Sequence, residues 1–167
     1  MTCQILAQEP VLDRFDLALL NIVQRDDSLT ADRIAEHVAL SPSAIARRLR
    51  RLRADGWIAR TIALLPDRLT ERRLRALLFI ELAEHADLQG KAALEQRLRK
   101  ADELQFCYET TGECDLLAMV DCASMAEFNA FCDEVLVSDP IVRRYETSFV
   151  KREVKFAPFV QLSSSQP

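Results

Sequence analysis

The sequence predicts an α+β chain in two parts, a helical N-terminal part and a C-terminal part in which strands and helices alternate. Apolar residues recur at helical spacing three times before residue 56. After residue 74 the pattern is strand, helix, strand, strand, helix, strand, and the polar stretch PDRLTERR separates the two parts. The chain has 167 residues, 49% of them apolar, which is enough for one ordinary domain or two small ones.

Two short helices are predicted first, from apolar spacing and capping residues. In LDRFDLALLNIVQRD, Asp13 is a suitable N-cap and Asp16 lies in the first turn, at the positive end of the helix dipole. In LTADRIAEHVAL, Thr30 is a suitable N-cap, and Ile34 and Val38 form the face that we expect to be buried.

The third predicted helix lies within SPSAIARRLRRLRADGWI, residues 41–58. Ser41 can cap it, Pro42 suits the first helical position and Gly56 supplies a left-handed stop. An inward stripe at i, i+4 and i+7 is formed by Ile45, Leu49 and Leu52. The residues that must then point away from the core are Ser43, Ala44, Arg47, Arg48 and Arg51.

Basic charge is concentrated on this helix, although the whole chain has a net charge of −4. Residues 1–66 hold nine basic and eight acidic groups, residues 67–167 hold thirteen and eighteen, and residues 41–60 hold six arginines against one acid. No acid lies between 42 and 54, whereas a solvated helix face usually mixes both signs. Because the major groove admits a helix and arginine binds phosphates and guanine edges, the pattern favours a DNA-binding helix-turn-helix over plain solvation.

The stretch WIARTIALL, after Gly56, is rich in β-branched and apolar residues and predicts a strand, the wing of a winged helix. Trp57 is interpreted as a core or hinge anchor. The predicted organisation is a winged helix-turn-helix DNA-binding domain at 1–62, a hinge at 63–74, and an effector-binding and oligomerisation domain at 75–167.

The C-terminal pattern is that of a ferredoxin-like βαββαβ domain. Ser124 is predicted to cap the second helix with Glu127 in a capping box, and the inward positions are Met125, Phe128, Cys132 and Val135. Such a domain leaves one sheet face without helices. That face is apolar here, so we expect it to be buried against another subunit.

The sequence predicts neither a metal nor a cofactor. Five cysteines occur without a C-x-x-C pair, beside only two histidines, so zinc is disfavoured and the cysteines are interpreted as buried residues in a reducing compartment. A redox role for Cys114 is disfavoured. No apolar run approaches the ~20 residues of a membrane helix, and the N-terminus does not have the pattern of a secretory signal, which predicts a cytoplasmic protein.

The chain resembles the Lrp/AsnC family of transcriptional regulators over about residues 11 to 160. The resemblance rests on LDRFDLALLNIVQRD, LSPSAIARRLRRLRADGWI, TIALL and TTGECDLL, in this order. It implies a DNA-binding winged helix-turn-helix joined by a hinge to a ferredoxin-like domain that binds an amino acid or related metabolite. It also implies dimers formed through the sheet, often assembled into octamers.

The resemblance also implies roles for individual residues, from their positions in the family's sequence pattern. Ser41, Pro42, Ser43, Arg48 and Arg51 match the family's recognition segment, and Arg47 lies where members vary. Ala39 stands where glycine or asparagine is common, so it costs roughly 1 kcal/mol if its conformation is left-handed; a slightly different turn is the alternative.

The effector site is also implied by the resemblance. Gly112 and Asp115 match a G-x-x-D turn in which the carboxylate suits an ammonium group and the glycine lets a small ligand approach. The other candidate effector-binding residues are Tyr108, Glu109, Thr110, Thr111, Glu113, Ser148 and Phe149. Read without the family, Gly112 is only a hairpin turn and Asp115 a surface acid.

Three other functions are weighed against an effector-responsive regulator. A tetrapyrrole-processing enzyme of related fold is disfavoured because the two histidines, His37 and His85, accompany no nucleophile–base set. An architectural DNA-binding protein without effector remains open. A metabolite sensor that binds no DNA is disfavoured by the intact helix-turn-helix.

Overall fold

The computed structural model describes residues 11–83 and 88–163 and has two compact units. Of the described residues, the first unit takes 11–64 and 156–163, and the second takes 65–155. The sequence predicts a single domain after residue 75. The structure instead returns the chain to the first unit, where side chains of the first helix bind it. No helix within the described ranges is long and apolar enough to cross a membrane.

The first unit contains the three predicted helices, α1 (Arg14–Val23), α2 (Ala31–Ala35) and α3 (Pro42–Ala54). Each predicted N-cap is confirmed. Asp13 accepts hydrogen bonds from the backbone N–H groups of Phe15 and Asp16, and Thr30 and Ser41 cap the other two helices. These caps satisfy N–H groups that have no partner within the helix.

The core of the first unit is made by the predicted inward stripes. Leu19, Ile34, Ile45 and Leu52 are essentially inaccessible to solvent, with Leu49 and Val38 beside them. Gly56 ends α3 with a φ of 79°, the left-handed stop that the sequence predicts. No non-glycine residue among those described has a positive φ, so Ala39 adopts a different turn and avoids the left-handed cost.

The predicted wing strand is not formed in this chain. Residues 57–65 lie outside any described strand. The physical reason is that a strand requires a hydrogen-bonding partner, and no described segment pairs with this one. Trp57, which we interpreted as an anchor, is 36% exposed at the start of this segment.

The second unit has the predicted ferredoxin-like order, preceded by a short helix. Its elements are α4 (Asp67–Thr70), β1 (Leu74–Leu82), α5 (Leu88–Lys100), β2 (Leu104–Glu109), β3 (Leu116–Cys122), α6 (Met125–Phe131), a π-helical turn (Cys132–Val137) and β4 (Val142–Phe149). The four strands form one antiparallel sheet in the order β2-β3-β1-β4. Position 85, which carries one of the two histidines, lies outside the described residues.

The two faces of this sheet differ in what covers them. Ala76, Leu78 and Ile80 of β1 point to the helices, where Leu94 of α5 and Phe128 of α6 complete the core. The opposite face carries half-buried apolar side chains and no helix from the described part of this chain; they are Leu77, Phe79, Phe106, Leu117 and Met119. This is the face predicted to be buried against another subunit.

The prediction that Met125 is buried in the core is wrong. Met125 is 47% exposed, whereas the other three inward positions of that helix, Phe128, Cys132 and Val135, are buried. Met125 is the first residue of α6, directly after the N-cap Ser124, so its side chain leaves the helix at the rim of the core. The predicted N-cap is confirmed, because the Ser124 hydroxyl accepts the N–H group of Glu127. The predicted capping box is not complete, because the Glu127 carboxylate accepts the N–H group of Ala123 and not that of Ser124.

Candidate DNA-binding and effector sites

The outward face of α3 presents the polar residues that the sequence predicts there. Ser43 and Arg47 are exposed, and Ala44 is half-buried beside them. Ser41 accepts a hydrogen bond from the N–H group of Ala44. The helix therefore begins with small side chains, which allow close approach of a partner to the backbone.

Two arginines of this face are held by α1. The carboxylate of Asp16, only 1% exposed, accepts hydrogen bonds from Arg48 at 2.8 Å and from Arg51 at 2.6 Å. The same group of Arg48 also donates to Asp13 at 2.7 Å. This cluster, which we call the Asp16 cluster (Asp13, Asp16, Arg48 and Arg51), joins α1 to α3 by ion pairs.

Charge pairing in the Asp16 cluster stabilises the ionised forms. Hydrogen bonds to Asp16 and Asp13 raise the pKa of Arg48 above its usual value. Burial raises the pKa of Asp13, but hydrogen bonds from the Asp16 N–H group and from Arg48 outweigh it, so the net shift is downward. Arg48 and Asp13 therefore both stay charged at neutral pH.

The remaining arginines of α3 divide into one held and two free side chains. Arg53 donates to Asp27 at 2.7 Å. Arg47 and Arg50 are exposed and have no ion-pair partner in the part of the chain that the structure describes. An arginine without an internal partner can place all its donors on a phosphate or a base edge.

Residues 110–115, which include five of the predicted effector residues, form one turn beside the end of β1. Thr110 and Asp115 close the turn through a backbone hydrogen bond of 2.9 Å. The N–H group of Asp115 donates to the carbonyl of Ile80, and its carboxylate accepts the N–H group of Leu82 at 2.7 Å. Asp115 thus has a structural contact of its own and still lies exposed to solvent.

The other acids of this region differ in how far they are paired. Glu109 forms an ion pair with Lys91 of α5, and this hydrogen bond raises the pKa of Lys91. Glu113 is exposed and has no ion-pair partner within the described ranges. The turn therefore offers Glu113 and part of Asp115 to a cationic group.

Neither the backbone conformation nor the packing of the described residues requires a glycine at position 112. Its φ is not in the left-handed region, and a Cβ atom added to it would meet nothing within 4 Å. The predicted tight turn therefore does not need a glycine at this position. The open space beside it can admit a ligand or another chain.

Two further predicted effector residues point to opposite faces of the sheet. Ser148 pairs with Leu77 on the helix-free face, as Tyr108 does with Leu117. Phe149 pairs with Ala76 on the helix side, where its ring lies 5.3 Å from that of Phe128. Ser148 and Phe149 therefore do not form one wall of a pocket within this chain.

Metal binding and thiol chemistry depend on the histidine, cysteine and acidic side chains of the described ranges. These ranges contain no group of three or more histidine, cysteine or acidic side chains that could hold a metal ion. Burial raises the pKa of Cys122 to about 11, and it also raises the pKa values of Cys107 and Cys132. These three thiols are protonated and unreactive at neutral pH.

Sequence reasoning missed the Asp16 cluster. From the sequence, Asp16 is only a first-turn acid that interacts with the helix dipole. The available signal was a matched spacing, since Asp13 and Asp16 lie three residues apart, as do Arg48 and Arg51. Residues three apart share one helix face, so two such pairs can meet across a helix–helix contact.

Comparisons with known proteins agree with both units. Residues 12–59 match the model of a winged helix-turn-helix DNA-binding domain, and residues 75–158 match that of the Lrp/AsnC ligand binding domain. A transcriptional regulatory protein, DoeX, of Halomonas elongata is 33% identical over 86% of this chain and 90% of its own length. The leucine-responsive regulatory protein of Salmonella typhimurium is 31% identical over 86% of this chain and 87% of its own.

A solved structure resembles the whole chain. It is that of a transcriptional regulator from Neisseria meningitidis in complex with L-Met. The two chains are 29% identical and align with a TM-score of 0.78 over 92% of this chain and 97% of the other.

Proposed function

We propose, since the chain belongs to the Lrp/AsnC family of transcriptional regulators, that it binds operator DNA through α3 and that an amino acid or related metabolite controls this binding. Its function as a transcriptional regulator follows from the family. The observation that carries the choice of surface is the outward face of α3, where Arg47 is exposed and has no ion-pair partner among the described residues. The second helix of a helix-turn-helix enters the major groove with its N-terminal residues nearest the bases.

The proposed DNA-binding residues act in two ways. Ser41, Pro42, Ser43 and Ala44 lie at the N-terminal end of α3, where backbone and hydroxyl groups can contact phosphates. Arg47 contributes a full set of donors and is our candidate for reading base edges. A guanidinium has five N–H groups, so Arg48 and Arg51 keep donors for phosphates while Asp16 orients them.

We place the effector at the turn of residues 110–115, with Asp115 and Glu113 facing its ammonium group. The exposed carboxylates and the open space at Gly112 support this placement. Support for an amino acid comes from the L-Met in the Neisseria regulator. Tyr108, Glu109, Thr110 and Thr111 line the approach to this turn in our proposal, whereas Ser148 and Phe149 can contribute only from separate faces or to separate copies of the chain.

A dimer is part of the same proposal. The helix-free face of the sheet presents half-buried Leu77, Phe79 and Met119, which a second copy would cover. Assembly of dimers into octamers is proposed from the family alone. A dimer would present two α3 helices to half-sites about one DNA turn, or a multiple of it, apart.

We propose a non-enzymatic, cytoplasmic regulator. The named relatives are transcriptional regulators, and His37 belongs to the first unit, whereas the sheet that a tetrapyrrole would occupy belongs to the second. The absorbance spectrum of the purified protein separates the two functions, because a bound tetrapyrrole would absorb strongly in the visible range.

The binding experiment compares the duplex upstream of the protein's own coding region with a random duplex of equal length, at one stated salt concentration. A specific regulator should prefer its own region by about a thousandfold or more. Equal affinity for both duplexes would indicate an architectural DNA-binding protein instead.

Thermal unfolding in the presence of each amino acid tests the effector. A ligand at about a hundred times its Kd stabilises the protein by about 2.7 kcal/mol. We expect at least one amino acid to raise Tm and to change operator affinity. If none changes either quantity, the effector proposal is wrong.

A further inference from the structure

The segment after β4 returns to the first unit and lies against α1. Asn21 binds both backbone groups of Leu162: its Nδ2 donates to the carbonyl at 2.8 Å, and its Oδ1 accepts from the N–H group at 2.9 Å. Gln24 binds Val160 in the same way, at 2.5 and 3.0 Å. Each carboxamide therefore pairs with one residue of the segment as a neighbouring strand would.

The spacing on both sides of this contact matches. Asn21 and Gln24 are three residues apart, so they share one face of the helix. Val160 and Leu162 are two residues apart, so in an extended chain their backbone groups point to the same side. The two side chains are also joined to each other, because Gln24 donates to Asn21 at 2.9 Å. This pairing fixes the orientation of both carboxamides.

Side chains add an anchor at each end of the contact. Leu162 packs against the core of the first unit. The guanidinium of Arg25 lies 3.9 Å from the centre of the Phe159 ring, a cation–π contact. Between them the side chain of Val160 is 63% exposed, so α1 holds that residue by its backbone.

An open groove of about 860 Å³ lies beside the contact, and the docked segment forms part of its wall. Its walls include Leu20 and Val23 of α1 and Trp57 after α3, and the segment contributes Pro158 and Leu162. Asn21 lies in the last turn of α1, and asparagine within a helix is less favourable than alanine by roughly 0.5 kcal/mol. Its position in α1 is accounted for by the two hydrogen bonds that it makes to Leu162.

We propose that α1 carries a binding groove for extended main chain and that its occupant is residues 159–162 of this chain, which tether the DNA-binding unit. The chain passes from the first unit to the second after Leu64 and returns after Lys155. The docked segment therefore gives the first unit a second link to the second unit. One end of this link is held to α1 by hydrogen bonds, and the other end is the chain that leaves the second unit at Lys155, six residues after the end of β4. Release of the segment leaves the DNA-binding unit attached through residue 64 alone.

Hydrogen exchange of the full-length protein, resolved by residue with NMR, tests this inference without reference to DNA or effector. The N–H groups of Val160 and Leu162 are donors to α1, whereas that of Gln161 has no hydrogen-bond partner within the described ranges. We expect Val160 and Leu162 to exchange at least about tenfold more slowly than Gln161, once each rate is divided by its intrinsic value. Exchange of all three at the rate of an unstructured peptide would overturn the proposal.

Two variants with matched controls show which groups cause the protection. Asn21→Ala combined with Gln24→Ala should abolish the protection, and Gln96→Ala, at an exposed carboxamide of α5, should leave it unchanged. Val160→Pro removes a donor from the segment without altering α1, so it should release Leu162. Val154→Pro, in an exposed stretch of the same segment, should not. Protection of Leu162 that survives both the double variant and Val160→Pro would contradict docking through the main chain.

Discussion

The two units use their acidic side chains in different ways. In the first unit, the buried carboxylate of Asp16 holds Arg48 and Arg51, so part of the outward face of α3 is ordered within the chain itself. In the second unit, Glu113 and Asp115 lie exposed on a turn with open space beside it. The comparison indicates that the proposed DNA-binding surface is preorganised within one chain, whereas the proposed effector site is open to a ligand or a second copy.

The largest effect on stability is expected for a variant that disrupts the Asp16 cluster of the first unit. Asp16→Asn removes the charge that pairs with Arg48 and Arg51. We expect a loss of about 2 kcal/mol of unfolding free energy, less than the ~3–5 kcal/mol of a fully buried pair, because the arginines are partly exposed. Urea unfolding measures this loss. Asp32→Asn, at an exposed first-turn acid of α2, is the control; if both variants unfold alike, the Asp16 cluster does not stabilise the unit.

A second variant separates held from free arginines on the same helix. Arg48→Ala should lower the unfolding free energy by about 1–2 kcal/mol, because it leaves Asp16 with one partner fewer. Arg50→Ala should change it by no more than about 0.5 kcal/mol, since Arg50 is exposed and unpaired within the described part of the chain. The sequence places Arg48 only on the outward face of the third helix, where its removal would not be expected to affect the fold. Equal stability of the two variants would restore that expectation.

In the second unit, Asp115→Asn tests the proposed effector site. The amide oxygen can still accept the N–H group of Leu82, so the turn keeps this hydrogen bond while the charge is removed. We expect the affinity for an amino-acid effector to fall about tenfold, as measured by calorimetry, with operator binding in the absence of effector unchanged. If the affinity for the effector is unchanged, the ammonium group does not bind at Asp115.

The smallest effect on stability is expected for Gly112→Ala. Its φ is not left-handed and the new methyl group meets nothing within 4 Å, so the unfolding free energy of the isolated chain should change by no more than about 0.5 kcal/mol. If a ligand approaches the backbone here, the same variant should lose the ligand-induced rise in Tm. A full rise in Tm in this variant would show that the ligand does not approach Gly112.

Local signals in the sequence predicted most of the fold. The caps Asp13, Thr30 and Ser41, the stop at Gly56 and the order of strands and helices along the second unit all depend on neighbours in sequence, and each is confirmed.

Non-local contacts were not predicted. Arg51 has one acid nearby in sequence, Asp55 at 4.0 Å. The acids that hydrogen-bond Arg48 and Arg51, Asp13 and Asp16, lie more than thirty residues away, so a search for acids within the helix could not find them. The hydrogen bonds between α1 and residues 160–162 join positions 136 to 141 residues apart and leave no periodic pattern. The wing strand was predicted from composition, but composition does not supply a pairing partner.

In our proposal, α3 carries two arginines that Asp16 holds in place and one unpaired arginine, Arg47, that binds DNA. The most direct test of this proposal is operator affinity as a function of salt concentration for wild type, Arg47→Ala and Arg33→Ala, the last an exposed arginine of α2 paired with Glu36. We predict that Arg47→Ala lowers operator affinity about tenfold, while Arg33→Ala matches wild type. The slope of log affinity against log salt should stay close to that of wild type if Arg47 reads base edges, as we propose, and should become shallower by about one unit if Arg47 binds a phosphate instead. Wild-type operator affinity in Arg47→Ala would contradict the account.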